Sequence, residues 1–141
     1  MARASGSPGW HHEELTITEC LRLLASKRVG RVAFNHHGPV VLPVNFVVEG
    51  DCVLLCTSPH GYLGRQLRQA VAGFQCDDLD EVTGAGWTVC LQGFAECLNG
   101  FQVRELRRRP DPWGVGLQWL HVRISPRTIT GRRWTGISRC A

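Results

Sequence analysis

Between residues 40 and 48 every second side chain is large and apolar: Val40, Leu42, Val44, Phe46 and Val48 fall on one face of an extended chain. The other face carries Val41, Pro43, Asn45 and Val47, so one amide lies among apolar neighbours. Glu49, Gly50 and Asp51 close a hairpin onto a second strand over residues 52–57. Thr57, Ser58 and Pro59 mark the change from strand to helix, with Ser58 as N-cap and Pro59 at the first helical position. Leu63, Leu67 and Val71 recur at i, i+4 and i+8, which predicts a helix ending at Gly73, with Arg65 and Arg68 on its wetter faces. The first N–H groups of a helix have no intrahelical partner, so this strand-to-helix corner is suited to an anion.

On the N-terminal side, residues 1–14 read as a flexible tail and residues 15–141 as one domain. Thr18 is the expected N-cap of a short helix through Ser26, with Ile17, Leu21 and Leu24 as its buried stripe and Glu19 in the first turn. Residues 28–34 are strand-like, and Gly30 leaves room there for a close backbone or ligand. His36, His37 and Gly38 form a turn.

Beyond Gly73, a short strand begins at Phe74, Gln75 and Cys76. Asp77, Asp78, Asp80 and Glu81 lack the ligand spacing of a calcium loop and read as a solvated turn. Residues 87–98 are the longest strand candidate, with Gly93 as a bend or bulge. A brief helix is expected through Arg107, Arg108 and Arg109, a solvated end favourable to the helix dipole, stopping at Pro110. Residues 111–114 form a loop, and residues 117–124 a last strand that Ser125 and Pro126 break before a closing segment at 129–134. Five or six strands with hairpin connections and a few short helices predict a mainly β (α+β) domain, a small antiparallel barrel.

Composition narrows the classes. The 141 residues are 43% hydrophobic and 20% charged, as in ordinary globular domains. No apolar run is long enough to cross a membrane, and the N-terminus has no apolar signal region, so a cytoplasmic protein with no membrane partner is expected. The net charge is +4, and Lys27 is the only lysine; arginine suits bidentate capture of phosphate or carboxylate. The basic residues are scattered without an aromatic-basic RNA motif, which speaks against nucleic acid. The seven cysteines include no Cys-x-x-Cys pair and read as reduced, mostly buried thiols, with neither a disulfide scaffold nor a metal framework. His11 and His12 read as a solvated pair, so no metal site is expected.

The order of short words along the chain resembles the pyridoxamine 5'-phosphate oxidase-like flavin-binding split-barrel family, in its short actinobacterial form. The words are Glu19 and Cys20 with Leu23 and Leu24; the run of residues 28–34; Leu42, Pro43, Val44, Asn45 and Phe46; Gly86, Trp87, Thr88 and Val89; Gly93, Phe94, Ala95 and Glu96; and residues 129–133. The resemblance covers residues 15–134 and implies a split β-barrel. It also implies a homodimer with two flavin sites at the subunit interface. It puts the ring near Arg31, Val32 and Ala33 and near Pro43, Val44 and Asn45. The phosphate goes by Thr57 and Ser58, and Trp87 or Trp119 reaches over from the partner subunit. The implied cofactor is FMN, with a deazaflavin coenzyme as alternative, and the implied activity is oxidation–reduction of a small molecule whose identity stays open. No catalytic side chain is required, because the flavin carries the redox chemistry.

The chain departs from the family where a lysine usually binds phosphate. Tyr62 stands there, able to donate a hydrogen bond but bringing no charge, and Arg65 or Arg31 could supply the cation. Members also tend to carry a basic residue near Gln92 or Phe94, which this chain lacks. Two readings follow: a flavin-dependent oxidoreductase, or a non-catalytic flavin, deazaflavin or haem carrier or sensor. The substrate-binding tail of the vitamin oxidase is not recognisable, so that particular reaction is not expected. Among single residues, Asn45 is either a strand amide satisfied by backbone or a ring contact. Arg31 needs a partner among its apolar neighbours. Trp87 and Trp119 are core anchors or cofactor stackers, and His60 and His121 are hydrogen-bonded histidines or haem ligands.

Overall fold

The computed structural model describes residues 11–58, 61, 64, 65, 67, 69–110 and 119–135. Its elements are β1 (His11–Glu14), α1 (Ile17–Ala25), β2 (Val29–Asn35), β3 (Pro39–Glu49), β4 (Cys52–Thr57), β5 (Gln69–Leu79), β6 (Gly86–Cys97), α2 (Gly100–Arg104) and β7 (Leu120–Thr135). Every strand pairing is antiparallel. The order β7-β4-β3-β2-β5-β6 closes on itself through β6–β7, giving a six-stranded barrel, and β1 adds to β7 outside the ring. The mainly β antiparallel barrel expected from the sequence is the observed fold, with one strand more than expected.

Alternation along the strands explains the closure. On β2 Val32 and Phe34 point inward, on β5 Ala72, Phe74 and Cys76, on β6 Val89 and Leu91, and on β7 Val122 and Ile124. Helix α1 adds Cys20, Leu23 and Leu24 to that core. The β3 alternation is as read: Val44 and Phe46 are buried while Val40, Leu42 and Val48 pack beside them. Gly50, at a positive φ of 61°, makes the tight hairpin to β4. Among the described residues no helix is long and apolar enough to cross a membrane.

Several expectations are corrected. The cap of α1 is Thr16, whose hydroxyl accepts from Glu19 N, and Ile17 is exposed because the buried stripe runs through Cys20, Leu23 and Leu24. Residues 11–14, assigned to the tail, instead pair with β7 from His11↔Thr135 to Glu14↔Arg132. The helix expected to end at Gly73 cannot extend past residue 68: Gln69–Leu79 is one strand, held by β6 along its whole length and by β2 at Gly73, Phe74 and Gln75. Ala72, Phe74 and Cys76 supply a period-two inner face there, while Val71 is exposed. The helix expected through Arg107, Arg108 and Arg109 stops at Arg104, where Glu105 caps it. Finally, Ser125 and Pro126 do not break the last strand. The β6–β7 register shifts between Gln92 and Gly93, which pair with Thr128 and Pro126, so β7 passes this point as a bulge.

Candidate functional site

Strands β3 and β4 pair from Phe46↔Leu55 to Glu49↔Cys52, and beyond that register their ends diverge toward β7. In that gap lies a cleft of about 260 Å³ lined by Pro43, Val44, Asn45, Cys56, Thr57, Ser58 and Trp119. Six of the residues named from the sequence therefore meet at one place. Pro43 has no N–H to give a ladder, and Val44 is buried beneath, which leaves an apolar floor with the half-buried Asn45 amide beside it. Thr57 and Ser58 bring hydroxyl groups from the end of β4, and Trp119 stands at the start of β7. An apolar hollow with a few placed polar groups has the character of a cofactor site.

Of the strand-to-helix corner, the described residues include Gly64 and Arg65, which are helical. Ser58 O accepts from Gly61 N at 3.1 Å and Gly61 O accepts from Arg65 N at 3.2 Å, but β5 has already begun at Gln69. Any helix here therefore ends before Gln69, and Thr57 and Ser58 bring their hydroxyls to the same corner. Arg65 is exposed and is not among the described residues lining the cleft. Tyr62, Pro59 and His60 lie outside the described residues.

The remaining candidates separate. Arg31 and Ala33 line a neighbouring hollow of about 330 Å³ with Val41, Gly73, Gln75 and Gln92. Arg31 finds the partner it needs: Nη1 donates to Gln75 Oε1 at 3.3 Å and lies 3.8 Å from Asp77 Oδ2. Gln75 in turn donates to Asp77 and to Thr88 Oγ1. Val32 is fully buried in the core, and Trp87 is buried there too, opposite Asp78 and Arg133; neither lines the cleft. Asn45 has an interaction within the protein, and it also borders a further hollow on the far side, considered below.

Two titratable groups lie by the cleft. Cys56 lines it, and burial pushes its thiol up to about 11, so it stays protonated near neutrality. His121 pairs with Cys56 across β4 and β7; burial first, then the charge of Arg109, holds its imidazole below the usual range, while a backbone hydrogen bond with Trp119 opposes this. A protonated thiol and a neutral imidazole give no activated nucleophile. Cys56 had no special signal in the sequence beyond its place on an apolar strand. Of the other described cysteines, Cys20 and Cys76 are buried and Cys90 is exposed. Among the described residues no three His, Cys, Asp or Glu side chains group to hold a metal. The acids at the end of β5 serve structure: Asp78 meets Lys27 Nζ at 2.7 Å, and Asp80 Oδ1 accepts from Val82 N and Thr83 N.

The sequence matches the pyridoxamine 5'-phosphate oxidase family over residues 16–133. It is 33% identical over 144 residues to an uncharacterized protein of Mycobacterium tuberculosis, an alignment covering 97% of this chain and 95% of the relative. The fold is similar to that of the FAD binding protein from Mycobacterium smegmatis, with a TM-score of 0.71 and 28% identity over 89% of this chain and 100% of the other. A FAD-binding protein from Mesorhizobium loti shares the fold, with a TM-score of 0.73 and 22% identity over 90% of this chain and 99% of the other. The match over residues 16–133 and a relative aligned over nearly its full length agree with the closed antiparallel barrel: the chain belongs to the pyridoxamine 5'-phosphate oxidase family.

Proposed function

We propose that this protein is a flavin-dependent oxidoreductase that holds its cofactor in the cleft between β3, β4 and β7. The observation that carries the reading is the meeting of Pro43, Val44, Asn45, Thr57, Ser58 and Trp119 around one hollow. An apolar floor and an indole suit a flat aromatic ring, Asn45 suits its polar edge, and Thr57 and Ser58 suit a phosphate. The family match and the 28% identity to a FAD binding protein support a flavin over other ring cofactors. Bound there, the flavin supplies the hydride or electron transfer. The chain positions the ring and, with a neutral His121 and a protonated Cys56 nearby, brings no competing nucleophile.

A hollow of about 260 Å³ is smaller than the ~300–1,000 Å³ of most cofactor pockets, so the described residues of one chain enclose only part of a flavin. The outer face of the barrel suggests what supplies the rest. Val41 on β3, Val71 on β5 and Phe94 on β6 are 60%, 66% and 48% exposed, on the run of neighbouring strands β3-β2-β5-β6. Val71 and Phe94 are register partners. Apolar side chains gathered on adjacent strands favour a buried protein contact, and a second copy of this chain would bring two clefts to one interface.

The test is the absorption spectrum of the untagged protein, followed by titration with FMN, FAD, a deazaflavin coenzyme and haem. Saturable binding of a flavin with a shifted visible band is the expected result; a colourless protein that binds none of the four contradicts the reading. One observation favours a carrier or sensor over an enzyme: Tyr62 stands where the family usually has a lysine, and Arg65, one of the cations expected to replace it, is exposed and does not line the cleft. Stopped-flow reduction of the bound flavin by NADH, NADPH or a reduced deazaflavin separates the two, since a carrier shows no donor-dependent bleaching.

A further inference from the structure

Beyond Asn45 on the same strand lies a second hollow, of about 480 Å³, in which Arg28, Arg108 and Arg109 surround Val29, Asn45 and Val47. The other arginines described in ion pairs meet acids: Arg123 meets Glu96, Arg133 meets Glu13, and Arg31 approaches Asp77. Among the described residues, no carboxylate pairs with Arg28, Arg108 or Arg109. Three guanidinium groups gathered with no paired carboxylate among the described residues make a positive field, and their planar forks match phosphate oxygens.

Their placement is built into the fold. Arg28 O accepts from Phe46 N at 2.9 Å, and the next residue, Val29, is the register partner of Asn45, so Arg28 is tied to the strand that forms the cleft. Arg108 and Arg109 follow α2 and precede Pro110, which is buried. Arg109 acts electrostatically on His121, and His121 is the register partner of Cys56, which lines the cleft. The arginine hollow and the cleft are thus joined twice, through Asn45 and through the Arg109–His121–Cys56 side.

We propose that Arg28, Arg108 and Arg109 form a second anion site, continuous with the cleft through Asn45, which takes a phosphoryl group. This rests on reading the cleft as the flavin site. A mononucleotide has one phosphate, assigned to Thr57 and Ser58, and it leaves the arginines without an anion. Their phosphoryl group comes either from the second phosphate of a dinucleotide flavin or from a separate phosphorylated substrate.

The test is equilibrium titration of the full chain and of its Arg108→Ala/Arg109→Ala variant with FMN, FAD and inorganic pyrophosphate, the last against both flavin-free and FMN-loaded protein. Both arginines are exposed, so the variant keeps its fold, and an unchanged melting curve checks this. Loss of FAD affinity by about tenfold or more with FMN affinity unchanged is expected for a dinucleotide. Unchanged flavin affinities with a similar loss of pyrophosphate binding to the FMN-loaded protein point to a separate substrate; both results support the site. Variant and wild type binding all three probes alike overturns it, and an equal loss for FMN and FAD overturns its independence from the Thr57–Ser58 corner. If the wild type binds neither flavin, the cofactor reading fails, while pyrophosphate titration of the flavin-free protein still decides whether the arginines bind an anion.

Discussion

The ring of Phe74 fills the space that Gly30 leaves on the inner face of β2. A Cβ at position 30 would overlap Phe74 Cζ, reach within 2.9 Å of Cε2 and stand 3.0 Å from the Gln75 carbonyl oxygen. The ring has little room to retreat, because it is buried and packs edge-on against Phe46 with centroids 4.7 Å apart. Gly30→Ala is therefore expected to destabilise the protein by about 1–3 kcal/mol through overpacking. A lower urea midpoint at unchanged slope would show this; an unaltered midpoint would mean that β5 yields.

The hydroxyls of Thr57 and Ser58 are assigned to phosphate and not to the ring. The Thr57→Ala/Ser58→Ala variant should then lose FMN affinity by about tenfold or more, the usual cost of hydrogen bonds to a charged group, and keep its affinity for riboflavin. Parallel losses for both ligands would place the two residues at the ring instead.

In the proposed site, Tyr62 stands where the resemblance puts the family's phosphate-binding lysine. If charge is what the corner lacks, Tyr62→Lys should tighten FMN and make its binding more sensitive to salt. Unchanged affinity at low ionic strength would count against this placement of the phosphate.

His121 carries a pH dependence whose sign is fixed by its depressed pKa. The unfolded imidazole takes up its proton near its ordinary value of 6.5, whereas the folded one resists until lower pH. Its contribution is complete above 6.5 and is lost as the pH falls through the folded value. His121→Gln should therefore narrow the gap between urea midpoints at pH 8 and pH 5.5. An unchanged gap would show that other groups govern the acid side.

Much of the barrel was legible because its strands obey period two: β3, the hairpin at Gly50 and the bulge at Gly93 are where the sequence places them. Gly30 was legible as a close approach, but a glycine does not say who approaches, and Phe74 is 44 positions away. The helix expected to run to Gly73 stops short of Gln69: Leu63, Leu67 and Val71 fit a helical period, but pairing with β6, and with β2 from Gly73, which no local pattern encodes, makes residues 69–79 a strand. The helix expected at Arg107, Arg108 and Arg109 failed for a related reason. Their composition suits a helix end, but α2 has already capped at Glu105, and their setting beside Arg28 and Asn45 depends on contacts distant in sequence. The candidate site was half visible: β3 and β4 carry its floor and hydroxyls in one continuous stretch, and Trp119 joins them only through the β4–β7 pairing.

The central claim is that the cleft beside Asn45 holds a flavin ring, and a crystal structure of the protein grown with FMN or FAD tests it most directly. The ring should lie in van der Waals contact with Pro43 and Val44, with the Asn45 amide at its polar edge and the first phosphate at Thr57 and Ser58. A flavin seated instead over Val71 and Phe94, or along Arg31 and Gln75, would contradict the account.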